Sequence, residues 1–162
     1  MKHVAPLALL GALCVLCVQP ADAESPIVGT WKLQSFTREI VATGRRDNPF
    51  GEQPQGYVIF SPDGHSCGII TKGERVRPAG PLPTDQEKIE LFGSMVSYAS
   101  TYQVEGNKVF LRVDISWNQA WTGTVQARFF KVEGDTLTLT TPVMKMLDGQ
   151  EGRSVLVWKK VQ

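Results

Sequence analysis

The chain has 162 residues, with 17 basic and 16 acidic side chains and a net charge of +1, room for one domain or one domain with an appendage. The near-neutral balance excludes a nucleic-acid binder that works through a basic excess on one face, while 42% hydrophobic and 20% charged residues describe an ordinary globular chain. Its 15 Gly and 10 Pro point to many short turns, as in an all-β protein.

Lys2 and His3 precede an uncharged apolar run from Val4 to Val18, and Ala21-Asp22-Ala23 supplies small residues at the spacing of a cleavage site. This pattern predicts a secretory signal peptide over residues 1–23, cut after Ala23, and a secreted or periplasmic product. At about 15 residues the run is short of the roughly 20 needed to span a bilayer, so no stable membrane insertion of the mature chain is expected. Residues 24–162 then form the domain, with Cys67 its only cysteine and His65 its only histidine. An internal disulfide is impossible, a Cys/His metal site has too few ligands, and no catalytic residue, metal or cofactor is assigned.

Strands are predicted over residues 31–40, 56–61 and 65–71, the last two joined by Pro62-Asp63-Gly64, a turn in which Pro presets φ and Gly accepts positive φ. Gly44 to Gln55 and Gly73 to Pro83 read as long loops. A helix follows over residues 85–96, with Thr84 as N-cap, Glu87 as its capping-box partner and Ile89, Leu91, Phe92, Met95 and Val96 as an apolar stripe. Further strands are predicted over residues 98–105, 108–117, 124–132, 136–141 and 154–161. In the fifth strand Val109, Leu111, Val113 and Ile115 alternate with Phe110, Arg112, Asp114 and Ser116, which places Arg112 and Asp114 as an outer-face ion pair.

Eight antiparallel strands with one helix inserted between strands three and four suit a closed up-and-down barrel, which leaves no exposed edge and has room for one small ligand. A β-sandwich is the structural alternative. Tyr57, Tyr98, Tyr102, Trp117 and Trp121 are the candidates to line a cavity or its mouth, because small-molecule pockets combine aromatic walls with a few polar tips. Tyr98 and Tyr102 share strand parity and so face the same side. His65 beside Asp63 reads as part of a plain hairpin, Cys67 as a small buried filler, and Lys72, Arg75 and Arg77 as a basic cluster near the rim.

Gly29-Thr30-Trp31 resembles the G-x-W signature of the first strand of lipocalins and other calycins. Pro54-x-Gly56-Tyr57-x-x-Phe60-Ser61-Pro62-Asp63-Gly64, Tyr98-Ala99-x-Thr101-Tyr102, Trp121-x-Gly123, Arg128-Phe129, Gly134-Asp135-x-Leu137-x-Leu139-x-Thr141-Pro142 and Leu156-Val157-Trp158 are similar to the pattern of the bacterial and fungal lipocalin-like domain family. The chain departs from that pattern at Phe110-Leu111-Arg112, where relatives carry histidines, and at Asn118-Gln119-Ala120. The resemblance implies a calycin barrel whose open end accepts a small hydrophobic molecule. It also implies that Trp31 plugs the narrow end beneath a cation from Arg128 or Arg153; Arg128 is carried as a ligand-binding candidate as well. Relatives with such barrels include isomerases and cyclases, so a reaction vessel, or an interaction module with a filled interior, stands beside the binding protein as an alternative.

Overall fold

Strong alternation of apolar and polar residues makes half-buried strands, and in the computed structural model these pair in sequence order around a closed sheet. The structure describes residues 25–145 and 149–162; the signal peptide expected over residues 1–23 lies outside them. The strands are β1 (Gly29–Ile40), β2 (Arg46–Asp47), β3 (Gln55–Phe60), β4 (His65–Thr71), β5 (Met95–Glu105), β6 (Lys108–Ser116), β7 (Val125–Glu133), β8 (Thr136–Thr140), β9 (Met144–Lys145) and β10 (Glu151–Lys160), with helix α1 (Asp85–Gly93) between β4 and β5. The neighbours run β1-β3-β4-β5-β6-β7-β8-β10, and antiparallel pairing of β10 with β1 closes the ring of eight longer strands. The two-residue strands β2 and β9 attach to β1 and β10.

Inward-facing residues form one core, with Ile27, Trp31, Leu33, Val58, Phe60, Val109, Leu111, Leu137, Leu139, Leu156 and Trp158 all buried. The two ends of the barrel differ. The tight connections at Pro62–Gly64, Gly106–Asn107 and Gly134–Asp135 gather at the end closed by Ile27, and the longer connections 41–54, 72–94 and 117–124 gather at the other. Trp31 is fully buried at the closed end, where its indole N–H donates to the Ile27 carbonyl at 2.8 Å. Gly29 adopts φ +135° there, with Lys160 packed against it, a conformation that favours glycine at the start of the G-x-W segment.

Several sequence expectations are corrected. The cation over Trp31 is neither Arg128 nor Arg153 but Lys160, whose Nζ stands 5.3 Å from the ring centre; Arg153 instead pairs with Glu39 at 3.1 Å on the outer face. The helix ends at Gly93, because Met95, Val96 and Ser97 pair with Thr71, Ile70 and Ile69 and so extend β5. The 44–55 loop contains β2. Ile115 is 68% exposed: Ser100 pairs with Val113 but Ala99 with Ile115, so a bulge at Asp114 turns the end of β6 over. Arg112 and Asp114 are exposed as expected, but no ion pair joins them among the described residues. Cys67 is exposed, since it shares the outer face with Ile59 and Ala99.

The Thr84 cap forms as read. Its hydroxyl accepts from the Glu87 N–H, and the Glu87 carboxylate accepts from the Thr84 N–H at 2.7 Å, the Ala79 N–H and the Thr84 hydroxyl, which hold that carboxyl below its ordinary pKa. Arg75 donates to the Leu91 carbonyl and the Ser94 hydroxyl at the other end of α1. It serves as that helix's C-terminal cation.

Candidate functional site

Strand register groups the inner side chains into rows that run obliquely around the barrel, because its strands are tilted. Above the Ile27 and Trp31 floor, one row across β1, β10, β8 and β7 is Leu33, Trp158, Leu137 and Val132; the next is Phe36, Leu156, Leu139 and Phe130. Both rows are apolar apart from one group, the Trp158 indole N–H, which is buried and finds no acceptor among the described residues. Two residues further along the strands, roughly 6.6 Å nearer the mouth, the chemistry changes. Arg38 pairs with Ser154, the Ser154 N–H donates to the Thr141 hydroxyl at 2.8 Å, and Arg128 follows on β7, beyond the Phe129–Thr140 pair. This polar row runs obliquely, from Arg38 near the mouth down to Arg128, whose β6 partner Val109 lies beside the closed-end Gly106–Asn107 turn.

Arg38 is held in place. Its guanidinium makes a two-point contact with Asp47 of β2, at 2.8 and 2.6 Å, and that bond keeps the Asp47 carboxyl below its ordinary pKa. Arg128 is different. It is half-buried, pairs in register with inward Val109, and spends one N–H on the Ala127 carbonyl at 2.7 Å. No carboxylate lies within ion-pair distance of it among the described residues.

The aromatic candidates separate into three places. Tyr98, Trp121 and Trp117 come together at the mouth: Tyr98 on inner-facing β5 meets the Trp121 ring at 5.8 Å, and Trp121 meets Trp117 at 4.9 Å. Phe92 of α1 adds its ring to Trp117 at 6.0 Å, so a run of four rings connects the helix to the inner wall. Tyr102 faces inward with Tyr98 but stands roughly 13 Å away along the strand. It belongs to the floor, packed edge-on against Phe60 at 5.2 Å and donating to the Ser61 carbonyl at 2.8 Å, where it anchors a hairpin. Tyr57 is 45% exposed on the outer face of β3. His65 and Asp63 lie in the closed-end hairpin, both mostly exposed, with Nδ1 to Oδ1 at 3.1 Å.

Sequence reasoning missed Arg38, Thr141, Ser154, Gln126 and the buried Ser66–Ser100 hydroxyl pair (2.7 Å). A signal for Arg38 exists. Trp31 and Leu33 are apolar at odd positions, but Phe36 and Ile40 are apolar at even ones, and the bulge at Gln34 makes that switch.

Two clefts open at the mouth end. One of about 640 Å³ lies between the 48–53 segment and residues 72–74; the other, about 390 Å³, lies between α1 and the segment before it. Phe50 borders the larger cleft and stacks on inner-wall Phe36 at 4.8 Å, which seats that loop on the barrel rim. Among the described residues no cluster of three or more His, Cys, Asp or Glu could hold a metal ion, and no helix is long and apolar enough to cross a membrane.

The chain is 29% identical over 86 residues to the 4'-hydroxy-3'-methoxypropiophenone carrier protein ppsC of Aspergillus oryzae, covering 48% of this chain and 78% of that one. Among solved structures it is similar to a lipocalin-like protein from Bacteroides uniformis, at TM-score 0.44 and 11% identity over 85% of this chain and 100% of the other. An uncharacterized protein from Bacteroides eggerthii gives TM-score 0.40 and 11% identity over 83% and 99%. The model of the lipocalin-like domain matches residues 28–161, nearly all of the described barrel. The chain belongs to the lipocalin-like domain family.

Proposed function

We propose that the barrel is a carrier for a small, largely apolar molecule that enters at the open end, and that the protein is secreted or periplasmic. The observation that supports this is the make-up of the inner wall: a sealed floor, two apolar rows, an oblique polar row and an aromatic cluster at the mouth. Such a wall suits a ligand with an apolar body and a few polar atoms. The buried Trp158 N–H fits the same reading, because an unsatisfied donor is costly and an acceptor on the occupant would relieve it. The carrier protein similar to this chain is named for an aryl ketone, a molecule of that size and polarity.

The test is native mass spectrometry of the protein taken from its own host, followed by titration with Nile red and with 4'-hydroxy-3'-methoxypropiophenone. A co-purifying small molecule, or saturable binding of either probe, is expected. A clean apo mass with no response to either probe overturns the carrier reading. Sequencing the N-terminus of the exported protein tests the leader, with Glu24 expected first; an intact Met1 overturns it.

A further inference from the structure

We infer that the cargo is an acid, and that Arg128 binds its carboxylate from the inner wall. This rests on the carrier reading and goes beyond it to the chemical class of ligand. A carboxylate needs a cation or several N–H donors in a site that is only partly wet, because desolvating an unpaired charge is costly. Register places two guanidinium groups in the polar row of the inner wall, and they are not equivalent. The charge of Arg38 is matched by Asp47 in a two-point contact. Arg128 is half-buried, uses one N–H on a neutral backbone carbonyl and forms no ion pair among the described residues.

The surroundings define the rest of the molecule. One row below Arg128 the wall is Phe130, Leu139, Leu156 and Phe36, which receives an apolar body. Gln126 lies two residues along β7 on the same inner face, paired with Leu111. Its amide can donate to a second carboxylate oxygen. An amphipathic acid would set its head on Arg128 and its apolar body along these rows, whereas a neutral hydrocarbon leaves the guanidinium unmatched. Arylalkenoic and medium-chain fatty acids both satisfy this geometry through the same carboxylate chemistry.

Matched acid and ester pairs separate head-group recognition from burial of the body. Isothermal titration with 4-hydroxy-3-methoxycinnamic acid against its methyl ester, and dodecanoic acid against methyl dodecanoate, is done at pH 7 and low salt, with Nile red as a neutral reference. The wild type should favour at least one acid over its ester by about tenfold or more, the scale of one charge-assisted hydrogen bond. R128Q should collapse that ratio toward one and R128K should keep part of it. Q126E, which adds a competing carboxylate beside Arg128, should also collapse the ratio and serves if R128Q does not fold. Acids and esters that bind the wild type equally, or a ratio unchanged in the folded variants, overturn the inference while probe binding leaves the carrier reading standing. Failure of every probe, Nile red included, overturns both.

Discussion

Removing the Ser100 hydroxyl tests whether the barrel wall is dry at mid-height. Ser66 and Ser100 sit opposite each other on β4 and β5, 6% and 1% exposed, with their oxygens 2.7 Å apart. In S100A the Ser66 hydroxyl is left buried without its partner, a destabilisation of about 1–3 kcal/mol. S66A should behave the same way. The double variant removes both polar groups together and should cost no more than either single one, which gives a coupling of about 1–3 kcal/mol in a double-mutant cycle. Urea unfolding followed by circular dichroism measures all four proteins, with a melting-temperature loss of about 3–5 °C per kcal/mol as an independent check. Additivity of the two single losses within about 0.5 kcal/mol refutes the reasoning. Each hydroxyl would then be satisfied separately, and the wall there would be wet.

K160M should destabilise by about 0.5–1 kcal/mol, because the cation over buried Trp31 is lost, while K160R retains most of that contact; equal urea midpoints for the two variants would count against it. In G56A the new Cβ would lie 2.5 Å from the Ile69 carbonyl oxygen, so the β3–β4 pair must part at a cost of about 1–3 kcal/mol. G93A, which meets no atom within 4 Å, is the control, and a midpoint loss in G93A matching that of G56A would refute the steric account. Acid should weaken the rim. The Asp47 carboxyl, hydrogen-bonded by Arg38, and the Glu39 carboxyl, hydrogen-bonded by Arg153, are held below their ordinary pKa, so the unfolded chain takes up protons before the folded one. Their stabilisation is complete above the unfolded values of about 4 and is lost as pH falls through the folded ones. Thermal melts between pH 6 and pH 2 should fall less steeply for D47N than for wild type, and parallel curves would remove Asp47 from the account.

The strands and their order were legible because period-two alternation and turn residues are local signals. Val109, Leu111 and Val113 point inward as the pattern indicates. Register was not legible where a bulge intervenes. Ile115 keeps the apolar pattern but is turned outward at Asp114, and Arg38 looks like a solvent residue until the Gln34 bulge turns it inward. The site was read in part. Tyr98, Trp117 and Trp121 do meet at the mouth, yet Tyr57 alternates to the outer face and Tyr102 is drawn to the floor by the Ser61 carbonyl. The polar row of Arg38, Ser154, Thr141 and Arg128 draws its members from segments far apart in sequence, and only cross-strand pairing brings them together.

The unequal ends of the barrel have a consequence for how this fold can change. Strand register is set by the short hairpins around Ile27, and one inserted residue there would move a whole strand's side chains to the opposite face. At the other end, lengthening a connection such as 41–54 or 72–94 adds only about 0.6 kcal/mol of closure entropy per doubling of its length. Segments can therefore be grafted, exchanged or randomised at the mouth while the frame beneath keeps its pairing. A library built on the 48–53 and 117–124 segments should yield folded proteins with altered cargo, and one built on the hairpins should yield mostly unfolded chains.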